Sequence, residues 1–319
     1  MELRTLGRTG FRVSLLGLGS GGASRLGQQY NLPTSESERL VRHALDAGVN
    51  VIDTAPQYAD SEHLLGQALA GIPRDRYYLC TKFHARPRGG GHAAPGDLRA
   101  SLERSLRALR TDVIDVLYLH SIGPDVYADT CERFLPELTR ARADGLIRAI
   151  GITEQYQSDH THSTLLQAIK SDNFDVVMVG LNLLSPDAVT SVLPLAAAHN
   201  VGVVVMCAVR SVLVDPAAVA SYVRQWQRDG VLEPGAVDPE RPLDWLLDAH
   251  TPDVASAAYK FAAAPPQVGS VLTGTARLAH FDANLQAILG PPLPAAKVQR
   301  VLDVFGPVQR NVQPVAVAH

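Results

Sequence analysis

The sequence predicts a single (β/α)8 TIM barrel, and two observations carry that expectation. From residue 13 onward, short runs rich in Val, Ile and Leu alternate with longer stretches whose apolar residues recur every three or four positions. The short runs lack the one-in, one-out alternation of a half-exposed sheet, so they belong to strands buried on both faces and covered by helices. Eight such units close into a barrel, and one domain over residues 1–319 can hold them, because such barrels typically take about 250 residues or more as one unit.

Taken in order, the strand candidates are VSLLGLG (13–19), VNVIDTA (49–55), YYLCTKF (77–83), DVLYLH (115–120), IRAIGIT (147–153), DVVMVGL (175–181), VGVVVMC (201–207) and VGSVLTG (268–274). Ahead of them, MELRTLGRTGFRV reads as a β-hairpin turning between Gly7 and Gly10, a plug for the barrel bottom. The first helix, in TSESERLVRHALDAG, has Ser35 and Glu38 spaced as a capping box, Leu40, Val41, Ala44 and Leu45 on one face, and Gly48 as its stop. Leu98, Leu102, Leu106 and Leu109 form one stripe in DLRASLERSLRAL, and Pro186 after Ser185 reads as a first helical residue. A long loop follows strand seven: residues 208–242 separate it from a helix expected near Leu243, and contain an amphipathic PAAVASYVRQWQRDG and a Pro-rich EPGAVDPERP. Long loops with internal structure on a barrel commonly act as lids. The tail PVQRNVQPVAVAH carries no assignable pattern.

Composition narrows the function classes. Hydrophobic residues at 46% and charged residues at 19% describe a globular chain with a sizeable core. A formal charge of −3 with scattered arginines offers no basic stripe, so nucleic acid is not an expected partner. No apolar run reaches the length of a signal peptide or the about 20 residues of a membrane helix, which gives no membrane association and a cytoplasmic expectation. Cys80, Cys131 and Cys207 are odd in number and far apart, which fits reduced thiols and no metal cluster. Oligomeric state leaves no trace in the sequence.

Polar residues then gather at the C-terminal strand ends, where barrels build active sites. Asp53 closes strand two, Tyr58 sits in the next loop, Lys82 closes strand three and His120 closes strand four. Singly, each has an ordinary structural explanation; together they describe a proton donor and its support. A phenol ordinarily titrates near ~10, and a neighbouring ammonium such as Lys82 is expected to lower that value. Asp53 would offset the burial of the lysine, and His120 would donate to or relay with a substrate oxygen. The set is a general acid aimed at a carbonyl, with no nucleophile beside it.

With these residues the sequence resembles the aldo-keto reductase family over essentially the whole chain. The stretches that carry the resemblance are VIDTAPQYADSEHLLGQAL, LCTKF, DVIDVLYLH, GLIRAIGIT and VLTGTARLAHFDANL. The resemblance implies NAD(P)H binding without a Rossmann fold, reduction of an aldehyde, ketone or sugar or the reverse oxidation, and a catalytic tetrad of Asp53, Tyr58, Lys82 and His120. GLGSGG, residues 17–22, fits a dinucleotide fingerprint in letters only, since no helix opens at its last glycine and no acid lies about 20 residues on. The family passes this loop beside the cofactor, which makes Gly19 and Ser20 candidate contacts together with Asp53.

At the far end, the segment after the last strand has backbone N–H groups and an arginine suited to an anionic ribose phosphate. With the resemblance, Gly274, Thr275, Arg277, His280 and Asn284 become adenosine-side contacts, and Arg277 tilts the expectation toward NADP(H) over NAD(H). The nicotinamide side departs from the family: Thr153 and Glu154 stand where Ser-Asn is usual, Met178 and Leu181 where Gln and Tyr are usual, and Met206 where an aromatic stacks. Glu154 is expected to accept from the carboxamide and Met206 to pack on the ring, with Thr153, Met178, Cys207, Val209 and Arg210 as further cofactor contacts. Tyr30, Gln57, His84, Tyr127 and Trp226 are the expected substrate lining, for a small-molecule carbonyl or alcohol. Two other readings stay open: a cofactor- or ligand-sensing binding protein on the same fold, which would show no turnover, and a Schiff-base lyase on Lys82, against which Asp53 argues because such lysines need a depressed pKa.

Overall fold

The computed structural model describes residues 1–22, 24–86, 91 and 93–311, so the last eight residues of the unassigned tail lie outside it. Two short strands, β1 (Leu3–Thr5) and β2 (Arg12–Ser14), pair antiparallel with Leu3 opposite Ser14. Eight parallel strands follow: β3 (Leu16–Gly19), β4 (Val51–Asp53), β5 (Tyr78–Phe83), β6 (Ile114–Ile122), β7 (Ile147–Glu154), β8 (Val176–Gly180), β9 (Gly202–Met206) and β10 (Val268–Thr273). They close into a barrel in chain order, with β10 returning to pair with β3.

The expected run 13–19 therefore divides. Val13 and Ser14 belong to the hairpin, because Ser14 is tied to Asn50: its N–H donates to Asn50 Oδ1 at 2.7 Å and its hydroxyl oxygen accepts from Asn50 N at 2.9 Å. The hairpin plugs the bottom as expected. Leu6 and Val13 are buried among Val51, Cys80, Val116, Tyr118, Ala149, Val176, Met178 and Val204, the side chains that fill the barrel interior. The fit is tight enough that a Cβ on Gly7 would lie 2.2 Å from Gly202 N.

The helices are α1 (Thr34–Asp46), α2 (Ser61–Ala68), α3 (Pro95–Leu109), α4 (Tyr127–Ala143), α5 (Ser163–Lys170), α6 (Val192–Ala198), α7 (Pro216–Arg228), α8 (Val254–Ala263), α9 (Leu278–Leu289) and α10 (Ala295–Asn311). Leu40, Val41, Ala44 and Leu45 of α1 are buried as its pattern predicts, but no capping box forms. Pro33 is the N-cap and the helix starts at Thr34, which carries Ser35 inside the first turn. Pro186 precedes only a 3-10 turn, Asp187–Val189, and α6 waits until Val192. The helix expected near Leu243 is also a 3-10 turn, Asp244–Leu246; α8 begins after Asp253, whose carboxylate accepts from Ser256 N at 2.7 Å. The Asp253 cap marks where the regular helix starts.

The long loop after β9 carries α7, started by Asp215 and Pro216. Its Val219, Ala220, Val223 and Trp226 are buried. Trp226 stacks on Tyr222 at 5.8 Å and meets Phe305 of α10 edge-on at 6.5 Å. The expected lid is thus built around a helix packed onto the barrel's outer layer.

Candidate active site

Asp53 is the last residue of β4, and Lys82 lies near the end of the adjacent β5. Lys82 is 1% and Asp53 4% exposed, and Lys82 Nζ donates to Asp53 Oδ2 at 2.5 Å and to the Thr54 carbonyl at 2.8 Å. Burying two charges costs several kcal/mol per ion, so the contact has to be close and well bonded to persist. Burial pushes the Asp53 carboxyl upward, with the lysine opposing, whereas Asp53 and Tyr58 together outweigh burial on Lys82 and raise its pKa. The lysine keeps its charge.

Tyr58 lies in the loop between β4 and α2, and the Lys82 ammonium is 5.0 Å from its ring centroid. The expected direction of its pKa is reversed. Burial raises it more than Lys82 lowers it, so the phenol is protonated at neutral pH. That is the state a proton donor needs. A Cβ on Gly21 would sit 2.6 Å from the Tyr58 ring, which explains one glycine of GLGSGG: the loop after β3 lies directly on the phenol.

His120, in β6, meets Tyr58 edge-on at 5.9 Å and His84 at 5.6 Å between centroids. Gln57 Oε1 is 3.4 Å from its Nδ1. Burial, the Lys82 charge and His84 hold the imidazole well below its usual pKa, so it is neutral at neutral pH and offers one donor and one acceptor. The four expected residues are thus brought together, and Gln57 and His84 stand beside them.

The remaining expected substrate residues separate from this group. Tyr30 is 58% exposed at the end of a 3-10 segment. Tyr127 and Trp226 are buried in the hydrophobic core, Trp226 against Tyr222 and Phe305. An amphipathic helix uses aromatic residues to pack as readily as to bind, and the sequence does not distinguish the two.

On the expected cofactor side, Gly19 and Ser20 are buried at the end of β3, and Ser20 N donates to the Asp53 carbonyl at 2.8 Å. Ser20 Oγ, Thr54 Oγ1 and Asp53 Oδ1 are buried polar atoms without a hydrogen-bond partner among the described residues. Native interiors rarely leave such atoms unpaired, so three on adjacent strand ends fit a hydroxyl-bearing ligand such as the ribose of a nicotinamide cofactor. Met178 is 2% exposed within the interior packing, and the partly exposed Met206 packs against that layer. Cys207, Val209 and Arg210 form the loop after β9; Cys207 takes φ +61°, and the Arg210 guanidinium lies 5.3 Å from the Tyr156 ring centroid. After β10, Gly274, Arg277 and His280 are exposed, while Thr275 is 5% exposed and its Oγ1 accepts from Arg277 N at 3.1 Å. Asn284 donates to Thr273 Oγ1 at 2.8 Å.

Glu154 departs most from expectation. It is 2% exposed; its Oε2 is 2.7 Å from His162 Nδ1 and its Oε1 accepts from Gly180 N at 2.8 Å. His162, fully buried, also meets Gln309 Nε2 at 3.4 Å through its Nε2, and Gln309 Oε1 accepts from Asp187 N at 2.8 Å. Glu154 is therefore turned into a brace linking β7, β8 and α10, with both oxygens already engaged. Tyr156 was also missed: a Cβ on Gly180 would lie 2.1 Å from its ring, and Asn182 Nδ2 donates to its hydroxyl at 2.8 Å. No sequence signal joins Glu154 to His162, but Gly180 at a strand end hinted that something large lies against it.

No described helix is long and apolar enough to cross a membrane, and no described cluster of His, Cys, Asp and Glu could hold a metal ion. The family model for the aldo/keto reductases matches residues 16–304. L-galactose dehydrogenase of Arabidopsis thaliana is 27% identical over 300 residues, covering 90% of this chain and 88% of that protein. A D-threo-aldose 1-dehydrogenase from Pseudomonas sp. is 29% identical over 311 residues, covering 87% of this chain and 90% of its own. The aldo/keto reductase of Klebsiella pneumoniae crystallised with NADP and acetate superposes with a TM-score of 0.67 at 24% identity, covering 99% of both chains. The chain belongs to the aldo/keto reductase family and is an NAD(P)-dependent oxidoreductase.

Proposed function

We propose that the protein interconverts a carbonyl and an alcohol on a sugar-like substrate, with Tyr58 as the proton-transfer group and NADP(H) as the preferred cofactor. When bound, the nicotinamide supplies or accepts the hydride, which leaves the protein to bind, orient and move a proton. In reduction, Tyr58 gives its proton to the substrate oxygen as charge develops there; in oxidation it takes one back, with the Lys82 ammonium stabilising the phenolate. Neutral His120 orients the same oxygen by hydrogen bonding. Asp53 keeps Lys82 charged and aimed.

The observation that carries this reading is the Tyr58 phenol, its ring centroid 5.0 Å from the buried Lys82 ammonium and edge-on to the His120 imidazole at 5.9 Å. Two supports extend it to substrate and cofactor. The relatives just described are named for oxidation of galactose and other aldoses, and Gln57 and His84 bring uncharged hydrogen-bonding groups beside His120. Arg277 is exposed at the start of α9, where it can meet a ribose phosphate, and the Klebsiella protein holds NADP.

A panel of aldoses with NADP+ and NAD+, and of aldehydes with the reduced cofactors, followed at the nicotinamide absorbance band, tests the proposal. Tyr58→Phe should lower kcat by about 10³-fold while cofactor Kd stays within about twofold. Undiminished turnover in that variant would remove Tyr58 from the chemistry, and cofactor binding with no turnover of any substrate would favour a sensing protein.

A further inference from the structure

The ladder between β6 and β7 breaks beside the catalytic histidine. Leu119 faces Ile152 and Ile122 faces Glu154, so β6 carries one residue more than β7 across that interval. His120 and Ser121 share the excess opposite Thr153, and Ser121 takes φ +57°, a left-handed conformation uncommon outside glycine. Strict alternation from Tyr118, which fills the barrel interior, would send Ile122 inward; Ile122 instead packs with Leu119 in the outer core. His120 is therefore held between two outward anchors by a β-bulge, a feature that re-aims side chains at active sites.

Bulges remove an N–H from the ladder, and a buried N–H left without an acceptor is destabilising. Here the Ser121 N–H donates to Thr153 Oγ1 at 2.7 Å, and Thr153 is 2% exposed. We propose that Thr153 is a positioning residue for His120: its hydroxyl oxygen holds the bulge that sets the imidazole against Tyr58. The catalytic half of this inference rests on the hydride-transfer reading of the site; the structural half does not.

Thr153→Val keeps the shape and removes the acceptor, and Thr153→Ser restores it; Thr153→Ala takes the place of the valine variant should that one not fold. Imidazole NMR of the cofactor-free protein, with the His120 signal assigned through His120→Gln, should show it displaced in Thr153→Val and returned in Thr153→Ser. In turnover at saturating cofactor, Thr153→Val should lower kcat about tenfold, and the loss should vanish in a His120→Ala background. An unmoved His120 signal in Thr153→Val overturns the inference, as does a loss of cofactor affinity that fully accounts for the lower activity. A displaced signal in a protein that turns over no substrate would sustain the clamp and sink the hydride-transfer reading instead.

Discussion

Two buried ion pairs lie at the C-terminal ends of neighbouring parts of the barrel, and they are finished differently. In Glu154–His162 both carboxylate oxygens are bonded, one to the histidine and one to Gly180 N, and the histidine reaches on to Gln309. In Asp53–Lys82 one carboxylate oxygen is engaged and Asp53 Oδ1 has no partner among the described residues, with Ser20 and Thr54 hydroxyls in the same condition. A closed network specifies structure, whereas an open one keeps hydrogen-bonding capacity for something that arrives later. The contrast separates brace from site more sharply than burial does, since all four side chains are buried.

The largest effect that tests this contrast is at Lys82. Lys82→Met strands Asp53 in the interior and removes the charge beside Tyr58, so kcat should fall by about 10³-fold and unfolding in urea should lose about 3 kcal/mol. Full activity in that variant would break the distinction. Next comes Glu154→Gln: removing one partner of the closed pair should cost about 2–3 kcal/mol in the same titration, with kcat within about threefold of the parent. A kcat collapse without a stability loss would make Glu154 part of the site after all.

A smaller effect concerns pH. Burial, the largest influence on His162, lowers its pKa, but Glu154 and its neighbours reverse this and leave it above the ordinary 6.5; Glu154 itself is raised by burial. Both shifts mean that the folded pair holds more protons than the unfolded chain; the His162 contribution is fully present below about pH 6.5 and the Glu154 contribution only below about pH 4.5, and each is lost as pH rises through its folded value. The Tm advantage of the parent over Glu154→Gln should therefore shrink between about pH 6 and pH 9. A margin that grows over this range would reverse the assignment of charge. Smallest of all, Gln309→Leu should cost about 0.5–1.5 kcal/mol by chemical denaturation and leave cofactor Kd unchanged, because it removes one distant member of the brace.

Much of this molecule was legible in advance, for identifiable reasons. Strands buried on both faces read as apolar runs, and all eight barrel strands lie where those runs stand. Asp53, Tyr58, Lys82 and His120 could be grouped because each lies near the C-terminal end of a strand or in the loop after one, and closure of the barrel brings consecutive strand ends together. The sign of the Tyr58 shift was not legible, because desolvation depends on how deeply the loop seats the ring, and that depth is set by Gly21 and its neighbours. Glu154 and His162 are joined through an irregular turn in which His162 takes φ +55°, a conformation that no periodicity announces. Trp226 was misplaced because the apolar stripe of α7 faces the core, and its packing partner Phe305 comes from the far end of the chain.

The loop lying on Tyr58 also limits how this protein can be altered. Residue 21 faces the Tyr58 ring at a distance that admits a hydrogen and no methyl group. Any library that randomises the mouth to change substrate preference would, at that one position, score displacement of the Tyr58 ring instead of new specificities. The neighbouring Gly22, at φ +71°, has nothing among the described residues within 4 Å of where its Cβ would lie, so backbone conformation is its constraint there and asparagine is the natural first substitution. Two adjacent glycines thus set separate rules for redesign, one steric and one conformational.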